Sequence, residues 1–122
     1  MIKIYNTLKG KKENFVPLNG NKVNMYACGI TVSGPAHIGH LFQALIYDII
    51  RKYLKKRGYD VTYARNYTDI DDKIIINANK LGVDAKLFAE QKIKEIDDDM
   101  SYFQIGEPDS VSYTHLTLPT NS

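Results

Sequence analysis

The sequence predicts an α/β fold built on a parallel sheet. Three observations carry this reading. A strand-like stretch, Lys22 to Cys28, alternates Val23, Met25 and Ala27 with Asn24 and Tyr26. An amphipathic helical stretch follows, in which Leu41, Leu45, Ile49 and Tyr53 recur every four residues and Ile46, Ile50 and Leu54 broaden the apolar face. A second strand-like stretch, Tyr59 to Tyr67, comes directly after Gly58. Strand, helix, strand in that order is a βαβ unit, whose two strands lie parallel.

The other elements follow in chain order. Ile2 to Thr7 alternates apolar and polar residues and predicts a short strand, and Phe15 to Leu18 predicts a second. Asn19-Gly20-Asn21 is a turn signal. Arg51, Lys52, Lys55, Lys56 and Arg57 suit the negative end of the long helix, and Gly58 suits its terminus. Thr68 or Asp69 is the expected cap of a following helix with Ile70, Ile74, Ala78 and Leu81 on its apolar side, ended by Gly82. Asp84 is the expected cap of a third helix carrying Leu87, Phe88, Ile96 and Met100.

Composition narrows the function classes. The 122 residues have room for one small domain, and 43% are hydrophobic, enough for a core. The net charge of +2 is too balanced for a general nucleic-acid coat, so any RNA contact has to be a local patch. The basic helix end, Arg51 to Arg57, reads first as a solvated terminus. A single cysteine excludes an intrachain disulfide and fits a reducing compartment. No secretory signal or membrane-spanning run is present, which predicts a cytoplasmic protein.

The chemistry gathers in the loop between the first βαβ strand and its helix, Cys28-Gly29-Ile30-Thr31-Val32-Ser33-Gly34-Pro35-Ala36-His37-Ile38-Gly39-His40. A strand that ends, a Gly/Pro turn and a helix that opens with donors is a common phosphate site. His37 and His40, three apart at the helix start, share a face and can donate to phosphate oxygens. Gly39 between them lets a flat base or ribose approach the backbone. A lone Cys28 at a strand end is in general a small buried hydrophobe, but here it lies at the mouth of the expected site. Asp69, Asp71 and Asp72 after the second strand suit either helix capping or a divalent cation, and capping is favoured.

These segments together resemble the class I aminoacyl-tRNA synthetases, the cysteinyl-tRNA synthetases in particular. The resemblance runs from about Lys3 to Asp109, and residues 1–109 read as the N-terminal half of the family's catalytic domain. It rests on the opening I-x-N-T-L, the Y-x-C-G-I-T-V segment ending at Val32, the His37-Ile38-Gly39-His40 signature and R-N-x-T-D-I-D-D-K-I from Arg65 to Ile74. It implies the first half of a Rossmann-type (HIGH-signature nucleotidyl transferase) catalytic domain with a parallel sheet. The implied activity is that of a cysteine–tRNA ligase: activation of L-cysteine with ATP and Mg2+ to cysteinyl-adenylate, then transfer to tRNA(Cys). His37 and His40 would be catalytic and, with Gly39, would bind ATP. Gly29, Thr31 and Thr68 would shape the cysteine pocket, and Cys28 would supply one thiolate to Zn2+.

This chain departs from the family pattern at Ser33-Gly34 and at Leu41-Phe42-Gln43. The lysine-rich signature loop, the later zinc ligands and the RNA-binding C-terminal part of the family have no counterpart here, so the isolated chain is expected to be inactive. Residues 110–122 hold no Asp, Glu, Lys or Arg. They are expected to be a non-family tail, disordered or artefactual, and His115 within them is not assigned to zinc. Three other readings stay open: a cysteine:amino-sugar ligase of the same superfamily, a small nucleotidyltransferase, and a non-catalytic adenosine- or partner-binding module.

Overall fold

The structure, a computed structural model, describes residues 1–117. The order of elements is β1 (Lys3–Asn6), β2 (Lys11–Asn14), β3 (Lys22–Ala27), α1 (Ile38–Lys56), β4 (Asp60–Tyr67), α2 (Asp72–Leu81), α3 (Ala85–Tyr102), β5 (Ser110–Tyr113) and the single turn α4 (Thr114–Thr117). β3, α1 and β4 form the expected βαβ unit. β3 and β4 pair in parallel with Val23 opposite Val61 and Ala27 opposite Arg65. β5 adds to the far side of β4, also parallel, giving the order β3-β4-β5. The α/β class and the parallel sheet are as the sequence predicts.

The first hairpin differs from expectation at its second strand. Lys11–Asn14, a charged stretch, pairs with β1, and Phe15 to Leu18 does not. Gly10, at φ +65, makes the turn so early that the charged residues fall opposite Lys3 to Asn6. Asn6 donates to Glu13 at 2.8 Å and Lys9 pairs with Glu13, so polar side chains tie the charged second strand to the first. Phe15 instead packs edge-on against Tyr59 beside Val23, Leu54 and Val61.

The main core lies where α1, α2, α3 and the ends of the sheet meet. It gathers Ile30, Val32, Tyr67, Ile74, Ala78, Phe88, Ile96 and Met100. Along β4 the buried residues alternate, Val61, Tyr63, Arg65 and Tyr67, as a strand packed on one face requires. α2 is capped by Asp71, which accepts from the Lys73 amide at 2.8 Å, and not by Thr68 or Asp69. Thr68 is still part of the ladder there, and Asp69 is engaged with His115. Gly82 closes α2 in the left-handed conformation and Asp84 caps α3, both as expected.

Two sequence expectations meet a different structure. Ser110–Tyr113, which composition marks as the start of an unordered tail, forms β5, and Thr114 donates to the Tyr67 carbonyl at 3.1 Å. The remainder of that stretch, residues 118–122, lies outside the described residues. The second difference concerns α1. Of its predicted apolar face, Leu54 is buried and Leu41 is half-buried against the core, whereas Leu45, Ile46, Ile49, Ile50 and Tyr53 are exposed. Ala44 and Asp48, outside that face, are the helix's other buried residues.

Candidate functional site

The loop between β3 and α1 is held at both ends. Where the regular β3–β4 ladder stops, Thr31 and Thr68 continue it as an isolated parallel bridge. The Val32 amide donates to the Thr68 carbonyl and the Thr68 amide to the Ile30 carbonyl, each at 3.0 Å. Between these ties the Gly29 amide donates to the Asn66 side-chain oxygen at 2.5 Å. A Cβ at Gly29 would sit 1.2 Å from the Asn66 carbonyl oxygen, so no other residue fits without moving the end of β4. Gly29, Thr31 and Thr68, three residues of the expected pocket, are thereby brought together. Cys28, one position before, is exposed.

α1 begins immediately beyond Pro35, with His37 as its cap. His37 Nδ1 accepts from the Gly39 amide at 3.1 Å, and His40 Nδ1 accepts from the His37 amide at 3.2 Å. An Nδ1 that accepts leaves the ring proton on Nε2 in a neutral imidazole. Both histidines therefore offer an Nε2–H donor. Their rings stack with centroids 3.6 Å apart. Burial, and then the neighbouring His37, lower the pKa of His40 below its usual value, which keeps His40 neutral near pH 7.

The space above Gly39 is less simple than the sequence suggests. A Cβ at Gly39 would lie 2.9 Å from the His37 ring, so this glycine makes room first for the capping imidazole. Both histidines line a mostly polar cleft of about 520 Å3, together with Gly29, Thr31, Asp71 and Lys73. The positive end of α1 opens at the same place. Lys73, one residue into α2, adds a cation to the cleft wall. Donors, a helix N-terminus and a lysine around an open polar space, with the Asp71 carboxylate occupied in capping α2, are the chemistry that suits an anion.

A more apolar cleft of about 580 Å3 lies between α2, α3 and β5, lined by Ile70, Ile74, Ile93 and Tyr113. Its titratable groups are Asp69, Lys86, Glu90 and His115, and Asp69 is already paired with His115. The signature histidines are not part of it, so the polar cleft is the better candidate for chemistry.

Three participants escape a reading of the sequence alone. Asn66 is recognisable only as the second residue of R-N-x-T-D. Asp71 and Lys73 enter the cleft because α2 starts there. A fourth feature is unsatisfied: Arg65, 7% exposed, has no hydrogen-bond partner for Nε, and neither has the hydroxyl of buried Tyr63 among the described residues. Zinc is a different matter. Among the described residues no group of three or more His, Cys, Asp or Glu side chains is placed to hold a metal. Cys28 supplies one donor, and one donor does not make a zinc site.

The family of tRNA synthetases class I (C) catalytic domain matches residues 14–119. The chain belongs to that family. The cysteine–tRNA ligase of Maridesulfovibrio salexigens is 54% identical over 108 residues, 88% of this chain and 22% of the relative. That of Geotalea uraniireducens is 49% identical over 120 residues, 98% of this chain and 22% of the relative. This chain of the synthetase family thus spans about a fifth of the length of these relatives. Among solved structures, Mycobacterium tuberculosis methionyl-tRNA synthetase in complex with methionyl-adenylate is similar in fold. It has a TM-score of 0.62 and 19% identity over 70% of this chain and 16% of that one. No described helix is long and apolar enough to cross a membrane.

Proposed function

We propose that this domain is the ATP- and cysteine-facing part of a cysteine–tRNA ligase. The observation that carries the proposal is the stacked His37–His40 pair, with both Nδ1 atoms occupied and both Nε2–H groups left to donate, at the mouth of the polar cleft. The names of the relatives supply the substrate class.

In the reaction proposed, a carboxylate oxygen of L-cysteine attacks the α-phosphorus of ATP. The bond to the β-phosphate oxygen breaks, and pyrophosphate leaves with the electron pair. Charge grows on the phosphate oxygens during this step, so positioned donors lower the barrier without a protein nucleophile. His37 and His40 fill that role, with Lys73 and the N-terminus of α1 adding positive potential. Mg2+ would accompany the triphosphate. Gly29 and Thr31 shape the amino-acid side of the cleft, and Thr68 holds Thr31 in place from the end of β4. Cys28 would contribute one thiolate to Zn2+ in the longer protein, with the other ligands coming from outside this chain. Transfer to tRNA(Cys) would use parts beyond this region, in the cytoplasm.

The test is ATP–pyrophosphate exchange with L-cysteine. The protein for it is a chimera in which residues 1–109 replace the matched stretch of the Maridesulfovibrio salexigens ligase. His37→Ala and His40→Ala should each lower kcat by about 10²–10³, the usual cost of losing one such donor, with a small change in ATP binding. Losing ATP binding and rate in equal measure would contradict the assignment.

A further inference from the structure

A cavity of about 260 Å3 lies between the end of β4, the last turns of α3, the loop that follows and β5. It shares no lining residue with the polar cleft. Arg65 lines it and is only 7% exposed. Its Nε has no partner, and no hydrogen bond or ion pair holds the rest of the guanidinium among the described residues. A buried cation left in that state destabilises a fold. What it lacks is a planar acceptor, because a guanidinium presents a fork that a carboxylate meets with two parallel hydrogen bonds.

The chain's own carboxylates do not fill that place. Asp97 and Glu107 line the same cavity, yet neither pairs with Arg65. Both are exposed, so they mark the rim, and Arg65 marks the floor. Asp97 accepts from the Tyr67 hydroxyl with one oxygen, and its other oxygen is unbonded among the described residues. Burial, and then that hydrogen bond, raise the pKa of Tyr67, so its hydroxyl stays a donor. Met100, Ile105 and Val111 make the apolar part of the wall.

We infer that this cavity is a binding site for a free α-amino acid with an aliphatic side chain. Its carboxylate would meet Arg65, its ammonium Asp97 and Glu107, and its side chain Met100, Ile105 and Val111. The charge pattern disfavours simpler ligands. An inorganic anion would pass two carboxylates to reach Arg65, and a metal cation at the carboxylates would face the guanidinium behind them. A zwitterion uses all three groups. The volume agrees, falling below the roughly 300–1,000 Å3 of pockets for drug-sized molecules. The site goes beyond the ligase reading and does not depend on it.

NMR of this isotope-labelled chain, titrated with L-leucine, tests it. The amide resonances of Arg65, Asp97 and Ile105 should shift and saturate with a Kd of roughly 1 mM, as suits so small a ligand. Those of Thr31 and His37, in the polar cleft, should stay where they are. L-Leucinamide, which lacks the carboxylate, and N-acetyl-L-leucine, which lacks the ammonium, should each bind about tenfold more weakly. Arg65→Met should weaken L-leucine binding by about the same factor. Equal affinity for leucine and leucinamide would overturn the inference, and so would the absence of a saturable shift or shifts confined to the polar cleft. The analogues are compared on the unaltered chain, so the outcome does not hang on a variant's folding. Binding is read without turnover, so failure of the ligase reading would not be mistaken for failure of this one.

Discussion

At the residue scale, the site is a matter of which atoms are already spoken for. His37 and His40 use their Nδ1 atoms on backbone amides, which fixes the tautomer each can bring to a ligand. His40 should titrate below 6.5 in the free chain, because burial and His37 disfavour its cation. A triphosphate beside it would favour that cation, so the Cε1 resonance of His40 should titrate higher with ATP than without it. A resonance that titrates identically with and without ATP would remove His40 from the phosphate site. Arg65 supplies a second prediction. Its guanidinium keeps its charge at any ordinary pH, yet it is buried with Nε unpartnered and with the Tyr67 ring 5.7 Å away as its cation–π neighbour. Arg65→Met should therefore stabilise the chain, by roughly 1–4 kcal/mol, the range for exchanging buried ionic groups for packed apolar ones. A lower urea midpoint for the variant would show that the charge is compensated. The sequence displays the histidines, Cys28 and the glycines directly, because each sits in a short motif. It does not display Asn66 as the acceptor for Gly29, because that bond joins residues 37 apart and depends on the β3–β4 register.

At the scale of elements, periodicity shows that α1 exists but not which way it faces. The strongest apolar stripe of a helix is taken as its core side, and in α1 that stripe is divided: Leu54 and, in part, Leu41 face the core with Ala44 and Asp48, whereas Leu45, Ile46, Ile49, Ile50 and Tyr53 face outward. Periodicity records where apolar side chains sit around a helix and not which of them the rest of the chain covers. β5 was hidden for another reason. Four residues, Ser-Val-Ser-Tyr, are too few for a pattern, and what places them is the Asp109 turn against Tyr63. Capping is the more local signal, and the cap of α2 lies only two residues beyond Asp69. Asp71 and not Asp69 caps α2, because Asp69 is held by His115. Asp71→Ala should destabilise the chain by about 1 kcal/mol, read from urea melts, whereas Asp72→Ala, on the exposed first turn, should cost less. Equal costs for the two would mean that the cap bond contributes nothing.

At the scale of the whole molecule, one carboxylate joins the two ends of the sheet chemistry. Asp109 accepts from the Tyr63 amide at 2.7 Å, its own amide donates to the Tyr63 carbonyl at 2.7 Å, and Arg51 of α1 reaches it at 3.3 Å. It thus fastens the start of β5 to β4 and to the helix that carries the signature histidines. The Tyr63 amide holds its carboxyl below the usual value; partial burial opposes this, and Arg51 and Lys55 reinforce it. A carboxylate with a depressed pKa in the folded state binds fewer protons there than in the unfolded chain. Its contribution is therefore complete above the ordinary carboxylate pKa of about 3.9 and is lost as pH falls through the folded value. Urea midpoints of this chain should fall as pH drops below about 4, and Asp109→Asn should show a shallower fall, because an amide keeps an acceptor for Tyr63 without titrating. Parallel pH profiles for the two proteins would place the acid sensitivity in other carboxylates. A shallower profile would mean that the third strand, the helix and the cleft they support come apart through the protonation of Asp109.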